Sequence, residues 1–346
     1  MDTKIVRINP EKVEDFEKEL KEAAEIIKRG GLVAFPTETV YGLGANALDS
    51  SASEKIYKAK GRPSDNPLII HIADKKDYEK YCIVENSSFE KLVEDFVPGP
   101  ITIIQKKRDI IPDTVTAGMD TVAVRLPSHK IAKRLIELAG VPIAAPSANT
   151  SGRPSPTKAE HVIEDMLGRV DMIIDGGECE VGLESTIVLL KQDGATLLRP
   201  GGITLEMLKE SIGDIKIDKA IKGKLEKDEK PLAPGMKYRH YAPRVPVVIL
   251  KGEREAVLNF MNKEIKKEGT GIICYREDGF DGENVEVLGS IDDKNEMAHR
   301  LFDLLRKFDS KNSVKVIYTP LPPESDIGLA LVNRLIKASG YTVKEV

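Results

Sequence analysis

Arg125 is a charged side chain inside a predicted strand, in the segment TAGMDTVAVRLP at residues 116–127. Side chains alternate between the two faces of a strand, so Arg125 shares a face with Thr121 and Ala123 rather than with the large apolar residues. An arginine in a strand needs a partner, which is either an acidic neighbour or an anionic ligand held by both arms of the guanidinium group. The sequence favours these two alternatives equally.

Lys60 and Arg62 flank the glycine that ends a predicted helix, in the segment KAKGRPSDNPLIIHI at residues 58–72. The helix dipole favours cations at a helix C-terminus by about 0.3–1 kcal/mol each, so both residues could be purely structural. That explanation does not cover the polar Ser-Asp-Asn cluster that begins at Ser64, or the buried strand that ends at His71. A lone histidine at a strand end is more often a structural hydrogen-bonding group than a catalyst.

The segment PTETVYGLGANA (36–47) directly follows a predicted buried strand. Its glycines, Gly42 and Gly44, let the backbone fold tightly and approach a ligand. Thr37 begins a short run of hydroxyl and carboxylate groups. A strand-to-helix turn in which the threonines cap the backbone is the more frequent explanation for such a segment.

Three further segments place polar side chains beside predicted strands. They are APSANTSGRPSPT (145–157) with Ser147, Asn149 and Ser155, VGLESTIV (181–188) with Ser185, and LLRPGGIT (197–204) with Arg199. The first segment offers neutral donors that suit phosphate or carboxylate groups, and it equally suits a surface loop. Because all six segments lie where strands meet loops, which is where ligands collect in α/β folds, their coincidence favours one binding site.

The elements that must position these residues alternate between strands and helices over the first two hundred residues, which predicts an α/β domain over 1–212. The predicted strands are 32–36, 67–72, 101–107, 121–127, 141–146, 171–175, 185–190 and 195–200. The predicted helices are 13–29, 52–60, 88–96, 128–139, 157–168 and 204–211. Asp49-Ser50-Ser51 can cap the start of the second helix, and Gly61 is its expected C-terminal stop.

The composition changes after this domain. Residues 214–230 are rich in lysine and acidic residues and poor in apolar ones, which is typical of a solvated linker. The linker spans 213–244, and its second half, 231–243, differs in being rich in proline and aromatic residues. Residues 245–346 then alternate again between strand and helix patterns, which predicts a small parallel-sheet domain of the Rossmann-like type.

Length and charge exclude several classes of protein. A chain of 346 residues suggests about two domains. A net charge of −4 argues against a surface built for nonspecific nucleic-acid binding. No apolar run approaches the ~20 residues needed to span a bilayer. Three dispersed cysteines and five histidines form neither a CxxC nor an HxxxH metal motif. We therefore expect a soluble, cytoplasmic protein.

The six segments, in this order, resemble the YrdC-like threonylcarbamoyl-AMP synthases. The matching motifs are PTETVYGLG, KAKGRPSDNPLIIHI, AVRLP, AAPSAN, ESTIV and LLRPGG, and they cover residues 5–212 almost without interruption. PLAPGMKYRHYAP and the small domain after it resemble the long, two-domain form of that family. The resemblance implies a twisted mixed sheet in the first domain. Six ordered motifs make it a specific signal.

The resemblance implies a nucleotidyltransferase that acts on L-threonine, bicarbonate and ATP, with Mg²⁺ accompanying the ATP and no metal ligands from protein side chains. Its products would be threonylcarbamoyl-AMP and pyrophosphate. A separate tRNA threonylcarbamoyl transferase complex would then use the adenylate to modify the adenosine beside the anticodon. Attack on phosphorus needs fixed positive charge, and four cations in these motifs are available: Lys60, Arg62, Arg125 and Arg199.

The resemblance also implies roles for individual residues. The catalytic residues would be Lys60, Arg62 and Arg125. The ATP-binding residues would be Lys60, Ser64, Thr121, Ser147, Asn149, Ser155 and Arg199, with Tyr241 of the linker closing over the nucleotide. The L-threonine carboxylate needs an arginine fork, which is either Arg62 or Arg125, and Thr37, His71 and Ser185 would contact the rest of the amino acid. No covalent nucleophile is expected, so catalysis would be positioning and charge stabilisation.

Two other functions occur with or suit a YrdC-like domain, and the sequence argues against both. A carbamoyl-transfer enzyme of the same superfamily would carry paired CxxC motifs or a metal-binding histidine pair, which this sequence lacks. A non-catalytic RNA-binding protein is the alternative from a different class. The overall acidity and the absence of RRM, KH or dsRBD signatures weaken it, while direct tRNA binding stays open.

Overall fold

The computed structural model describes residues 2–221, 223, 231–236 and 240–346. These residues form two α/β units, each built on its own β-sheet. The first sheet contains parallel and antiparallel pairs, and all pairs in the second are parallel. The predicted fold class is therefore confirmed. Among the described helices, none is long and apolar enough to span a membrane.

The first unit is a mixed sheet with helices packed against it. Its strands are β1 (Lys4–Arg7), β2 (Val33–Phe35), β3 (Gly42–Asn46), β4 (Ile69–His71), β5 (Cys82–Ile83), β6 (Ile101–Lys107), β7 (Thr121–Arg125), β8 (Ile143–Ala144), β9 (Met172–Asp175), β10 (Thr186–Lys191), β11 (Gly194–Arg199) and β12 (Lys216–Ile217). Its helices are α1 (Glu17–Lys28), α2 (Ser50–Lys60), α3 (Tyr78–Tyr81), α4 (Ser88–Phe96), α5 (Asp113–Thr116), α6 (Lys130–Ala139), α7 (Ala159–Met166) and α8 (Leu205–Ile212). The strand order is β1-β9-β2-β3-β8-β4-β7-β6-β10-β11-β12, and β5 pairs with β6.

The register of three central strands brings distant parts of the chain together around β4. Strands β4 and β7 are parallel and end together, with His71 opposite Arg125. Strand β8 runs antiparallel to β4 and pairs Ala144 with Ile70. The N–H of Ala145, the residue after β8, donates to the Ile69 carbonyl, so the polar residues that follow β8 continue beside the start of β4. This geometry turns motifs far apart in sequence into neighbours.

Helix α2 ends where the sequence predicts and begins at Ser50, two residues before the predicted start. The Asp49 side chain accepts hydrogen bonds from the backbone N–H groups of Ser51 and Ala52, which is the usual N-cap arrangement. Gly61 ends the helix at φ 63°, a left-handed conformation that glycine adopts without steric cost. Lys60 is thus the last helical residue.

The segment at 36–47 differs from the predicted turn because residues Gly42–Asn46 form strand β3. A Cβ atom on Gly44 would lie 2.7 Å from the Phe35 ring and 2.8 Å from Cγ2 of Ile143. Gly42 is similarly close to Ala145, at 3.3 Å. The missing side chains therefore make room for neighbouring core residues rather than for a ligand. Glycine is a poor strand former, so the pattern hides the strand.

The second unit is a parallel sheet in the order β15-β14-β16-β13-β17. Its strands are β13 (Val247–Lys251), β14 (Thr270–Tyr275), β15 (Val285–Gly289), β16 (Val316–Pro320) and β17 (Val343–Glu345). Its helices are α9 (Arg254–Glu264), α10 (Lys294–Ser310) and α11 (Gly328–Ala338). Its main apolar core also contains Val40 and Leu183 of the first unit and Tyr241 of the linker. The two units are therefore joined by shared packing.

The first part of the linker is more ordered than its composition indicates. Strand β12 pairs in parallel with β11, so it extends the first sheet. Ile215, Ala220 and Ile221 are buried. A few apolar residues at the right spacing therefore hold this part of the chain against the domain, despite the surrounding charges.

Gly44→Ala should lower the free energy of unfolding by about 1–3 kcal/mol, because the added methyl group overlaps Phe35 and Ile143. Urea unfolding of the purified protein measures this change. Gly42→Ala is the matched control and should cost less, since its nearest neighbour is 3.3 Å away. Equal stability of Gly44→Ala and the unsubstituted protein would contradict the packing described for β3.

Candidate active site

A cavity of about 60 Å³ is lined by the last residues of β4 and β7 and by the residues that follow β8. Its walls come from the first unit and from the linker. The lining residues are Thr39, Val40, Arg62, Ile69, His71, Arg125, Ala145, Pro146, Ser147, Glu184, Ser185, Arg199, Pro234, Gly235, His240 and Tyr241. Seven of the residues singled out from the sequence are among them: Arg62, His71, Arg125, Ser147, Ser185, Arg199 and Tyr241.

Arg125 has an acidic neighbour and also faces the cavity. Its Nη2 atom lies 2.7 Å from Oε1 of Glu38, and its Nη1 donates a hydrogen bond of 2.9 Å to Thr39 Oγ1. Burial disfavours the charged form of Glu38, but the adjacent guanidinium outweighs this and holds its pKa below the usual value. Within the described residues, Nε of Arg125 is buried and makes no hydrogen bond, whereas Nη2 is paired with Glu38. The Nε donor can therefore still receive a carboxylate ligand.

His71 is neutral at physiological pH. Burial lowers the pKa of His71 to about 3, and the positive charge of Arg125 contributes to the shift. The ring packs edge-on against Phe35, with 6.4 Å between the ring centroids. Its Nδ1 atom is buried and has no hydrogen-bond partner in the described part of the chain. An unpaired buried polar atom beside Arg125 is typical of a site that a ligand completes.

Arg199 and Ser185 form a second polar wall. Arg199 donates from Nε to the Ser185 carbonyl at 3.0 Å and from Nη2 to the Ser185 hydroxyl at 3.1 Å. The same hydroxyl lies 2.7 Å from Thr102 Oγ1. Burial lowers the pKa of Arg199 to about 10, so the guanidinium group stays charged at neutral pH. Arg199 is the last residue of β11 and pairs with Ile187 of β10. Strand β10 begins at Thr186, the residue after Ser185, so the pairing brings Arg199 close to Ser185.

Glu184 also lines the cavity, although sequence analysis assigns it no role. Its carboxylate accepts a hydrogen bond from Ser155 Oγ and lies 2.7 Å from Nε of Arg334 in α11. Burial raises the energy of the charged carboxylate, yet the positive charges of Arg334 and Arg199 keep the pKa of Glu184 below its usual value. The carboxylate is thus a charged wall of the cavity.

The linker supplies the remaining wall. Tyr241 is 4% exposed and its ring stacks on Phe302 of α10, with 5.3 Å between the centroids. Its backbone adopts φ 63°, which a non-glycine residue holds only when its surroundings impose it. Burial lowers the pKa of the neighbouring His240, so this histidine is neutral. Two aromatic side chains of the linker therefore face the cavity from outside the first sheet.

Lys60 and Asn149 support the cavity rather than line it. The ammonium group of Lys60 is buried and donates to the carbonyl oxygens of Ser147 and Asn149. Asn149 accepts through Oδ1 from Ser147 Oγ and donates to the Thr150 and Arg153 carbonyls. Burial lowers the pKa of Lys60 well below its usual value. These contacts fix the turn after β8, so both residues position Ser147.

Four other residues selected from the sequence lie outside the lining of this cavity. The Thr37 hydroxyl donates to the Val40 carbonyl within its own turn, as expected of a backbone cap. Ser64 is exposed, and Thr121 lines a separate cavity beside Lys106. Ser155 is buried and reaches the site only through Glu184. Thr121 starts β7 and Arg125 ends it, so sharing a face does not bring them to one site.

Arg62 sits at the rim of the cavity and is half-buried. It donates from Nε to the Asn66 carbonyl at 3.3 Å and from Nη2 to the Pro67 carbonyl at 3.0 Å. Burial lowers the pKa of Arg62 to about 10, which leaves it charged at neutral pH. With Arg125 and Arg199 it gives the cavity three guanidinium groups against one lining carboxylate. The arrangement favours an anionic ligand.

Sequence analysis assigned no site role to Thr39, Glu38, Glu184 or His240. Glu38 could have been found, because an arginine in a strand requires a partner and PTETV holds a carboxylate. His240 lies next to Tyr241 in the aromatic half of the linker. The role of Glu184 depends on Arg334, which is 150 residues away in sequence, so no local signal reveals it.

Comparisons with known proteins cover nearly the whole chain. The family model described as "telomere recombination" matches residues 25–201, and one described as "threonylcarbamoyl-AMP synthase, C-terminal domain" matches residues 203–340. A threonylcarbamoyl-AMP synthase of Pyrococcus abyssi is 47% identical, over 97% of this chain and 98% of the relative. One of Bacillus subtilis is 44% identical, over 94% of both chains.

Two solved structures of P. abyssi Sua5 have the same fold. One is a complex with L-threonine and matches with a TM-score of 0.89 at 45% identity, over 100% of both chains. The other is a variant in which a histidine and the tyrosine after it are changed to alanine, and it matches with a TM-score of 0.90 at 45% identity, over 99% of this chain and 98% of that one. In this sequence a His-Tyr pair occurs once, at His240 and Tyr241.

His71→Gln should remove part of the loss of stability at acidic pH. Because the folded pKa of His71 is about 3, well below that of an unfolded histidine, only the unfolded state gains a proton as the pH falls from about 6.5. The stability of the unsubstituted protein relative to the variant should therefore fall by about 2 kcal/mol between pH 7 and pH 5. Urea unfolding at each pH measures the difference. A stability difference between the two proteins that does not change with pH would contradict this, because it would mean that His71 takes up its proton over the same pH range in the folded and unfolded states.

Proposed function

The chain belongs to the threonylcarbamoyl-AMP synthase family, and we propose that it converts L-threonine, bicarbonate and ATP into L-threonylcarbamoyl-adenylate and pyrophosphate. Its enzyme class is transferase. The observation that carries the assignment of the site is the meeting of three arginines at one cavity. The threonine carboxylate, the carbamate and the phosphates are all anionic, so this cavity suits each of them.

The chemistry requires two bond-forming steps. The amine of L-threonine adds to bicarbonate with loss of water, which gives a carbamate. A carbamate oxygen then bonds to the α-phosphorus of ATP while the bond from that phosphorus to pyrophosphate breaks. The Ser185 hydroxyl is held between Thr102 and Arg199, not beside a general base, so it does not act as a nucleophile. The residues of the cavity contribute by orienting substrates and stabilising charge.

We assign the threonine carboxylate to Arg125. Of the two arginines that the sequence left open, Arg62 already donates from Nε and Nη2 to backbone carbonyls, whereas Nε of Arg125 makes no hydrogen bond to any described residue and Arg125 faces the cavity. The neutral ring of His71 lies beside it, and Ile69 and Ala145 form an apolar wall that can hold the threonine methyl group. Ser185 lines the same cavity. One methyl group allows only ~1–3 kcal/mol of selection against serine.

We assign the nucleotide to the opposite part of the cavity. Arg62, Arg199 and Ser147 supply charge and a hydroxyl group there, and Tyr241 of the segment 231–243 covers it. Lys60 and Asn149 bind the turn that contains Ser147, so they contribute to nucleotide binding by positioning Ser147. Ser64 and Thr121 receive no role, because neither lines the cavity.

Mg²⁺ would enter with the triphosphate of ATP. Among the described residues, no group of three His, Cys, Asp or Glu side chains could hold a metal ion. The carboxylate that lines the cavity, Glu184, is bound to Arg334 and Ser155. When bound, the ion would neutralise phosphate charge. The chain's own contribution is the arginine cluster.

The product is a mixed anhydride of a carbamate and a phosphate, which is an activated acyl donor. We propose that a separate tRNA threonylcarbamoyl transferase complex consumes it, so the reaction is the first step in modifying the adenosine beside the anticodon. Contact with that complex would be transient. A reaction that uses ATP and serves tRNA would take place in the cytoplasm.

The proposed function is tested by mass spectrometry of a rapidly quenched reaction with ATP, Mg²⁺, L-threonine and ¹³C-bicarbonate. We expect a labelled threonylcarbamoyl-adenylate and an equal amount of pyrophosphate. Pyrophosphate without the adduct would mean a different acceptor. Absence of ATP turnover together with salt-dependent RNA binding would contradict the synthase assignment and favour the RNA-binding alternative.

Arg125→Lys should raise the KM for L-threonine at least about tenfold, because lysine keeps the charge beside Glu38 and loses the two-pronged grip on a carboxylate. The kcat should change less. Initial rates of pyrophosphate release measure both constants. Arg134→Lys, in a partly exposed ion pair with Glu17 on another face, is the matched control and should leave the KM unchanged. An unchanged KM for L-threonine in Arg125→Lys would contradict the assignment of the threonine carboxylate to Arg125.

A further inference from the structure

Helix α11 of the second unit extends a charged side chain into the first unit. Arg334 has 0% exposure and lies beside the cavity. Its Nε is 2.7 Å from Glu184 Oε2, and its Nη2 donates to the Pro200 carbonyl at 3.0 Å. Its Nη1 donates to Asn333 Oδ1 at 2.9 Å. Every arm of the guanidinium group is therefore fixed, and the Glu184 carboxylate with it.

The same arginine lies over the linker tyrosine. The central carbon of the Arg334 guanidinium is 5.4 Å from the centroid of the Tyr241 ring, a cation–π distance. Phe302 of α10 stacks on the same tyrosine, at 5.3 Å between centroids. The second unit thus holds Tyr241, which lines the cavity, in its strained φ 63° conformation.

Two neighbours of Arg334 on α11 bind the linker backbone. Asn333 Nδ2 donates to the Ile221 carbonyl at 2.8 Å, and Lys337 Nζ donates to the Gly235 carbonyl at 2.7 Å. Both lysine and asparagine are buried. Gly235 itself lines the cavity, and a Cβ atom there would lie 2.9 Å from the Tyr241 hydroxyl. Helix α11 therefore contacts the linker at two points, Ile221 and Gly235, and contacts the cavity wall at Glu184 through Arg334.

We propose that α11 is a positioning element of the active site, in which Arg334 holds Glu184 and Tyr241 in place and Lys337 fixes the linker around the nucleotide. The inference rests on the proposed function for the identity of the nucleotide. The second unit then completes the site instead of serving as an independent binding module. Arg334 and Lys337 act through other residues, so they are positioning residues and not catalytic ones.

Attachment of the two units does not by itself require Arg334. A second buried pair, Arg306 with Asp165 at 2.7 Å, joins α10 to the first unit without lining the cavity. Apolar packing around Val40 and Leu183 joins them as well. A buried ion pair is also a poor way to gain stability, because desolvation offsets most of the attraction. The placement of Arg334 on Glu184 and Tyr241 is better explained by the geometry it imposes.

The test compares Arg334→Met, Arg334→Lys and Lys337→Met with the unsubstituted protein. Arg254→Met is the matched control, since it removes an arginine ion pair with Asp278 inside the second unit. The measurements are KM and kcat for ATP, KM for L-threonine, the melting temperature, and hydrogen exchange of peptides covering 231–236 and 240–243.

We expect Arg334→Met to raise the KM for ATP at least about tenfold. The KM for L-threonine should change less than about threefold, because among the described residues the side-chain partners of Arg125 are Glu38 and Thr39, which belong to the first unit. Hydrogen exchange of the linker peptides should accelerate at least about tenfold. Lys337→Met should raise the KM for ATP and the exchange rate of the linker peptides by smaller factors. Arg334→Lys should lie between Arg334→Met and the unsubstituted protein in both quantities. Arg254→Met should leave both quantities unchanged.

Wild-type values of both KM and linker exchange in Arg334→Met and Lys337→Met would overturn the proposal. A loss of activity that only follows the folded fraction would also overturn it, since that is the result of a structural role alone. If Arg334→Met does not fold, the KM for ATP and the linker exchange of Arg334→Lys and Lys337→Met decide whether α11 positions the site. If the unsubstituted protein makes no adenylate, the proposed function fails, and linker exchange still decides whether α11 holds the linker.

Discussion

A carboxylate stays charged in a protein interior only when a cation lies beside it, and two walls of the cavity are built on this constraint. Glu38 is paired with Arg125, and Glu184 is paired with Arg334. In each pair one member faces the cavity. Removing either partner would leave an uncompensated buried charge, so the two pairs fix the positions of the strand ends, of α11 and of the linker together.

The mixed sheet makes such a site possible because it ends several strands at one edge. Parallel strands β4 and β7 deliver His71 and Arg125, while the antiparallel pair β10 and β11 brings Ser185 next to Arg199. Lys60 ends a capped helix and fixes the turn after β8. The first unit alone therefore supplies the three guanidinium groups, and the linker and α11 supply the opposite wall.

Local patterns predicted the parts of this structure that local interactions determine. Helix α4 has the predicted bounds, 88–96, because its apolar spacing is unambiguous. Strand β3 was missed because its glycines pack against Phe35 and Ile143, which are distant in sequence. Thr121 was grouped with Arg125 because a face can be read from alternation, whereas the position along the strand relative to a cavity cannot. Glu184 depends on a residue of the second unit, so only the folded chain reveals it.

In the proposed enzyme, one cavity holds the amino acid at Arg125, and α11 and the linker enclose the nucleotide against it. A crystal structure of this protein with L-threonine and a non-hydrolysable ATP analogue would show both ligands in place. We expect the threonine carboxylate on Arg125 beside His71, the phosphates near Arg62 and Arg199, and Tyr241 still between Arg334 and the ligand. A carboxylate bound elsewhere, or a linker displaced from α11 when the nucleotide is present, would contradict this expectation.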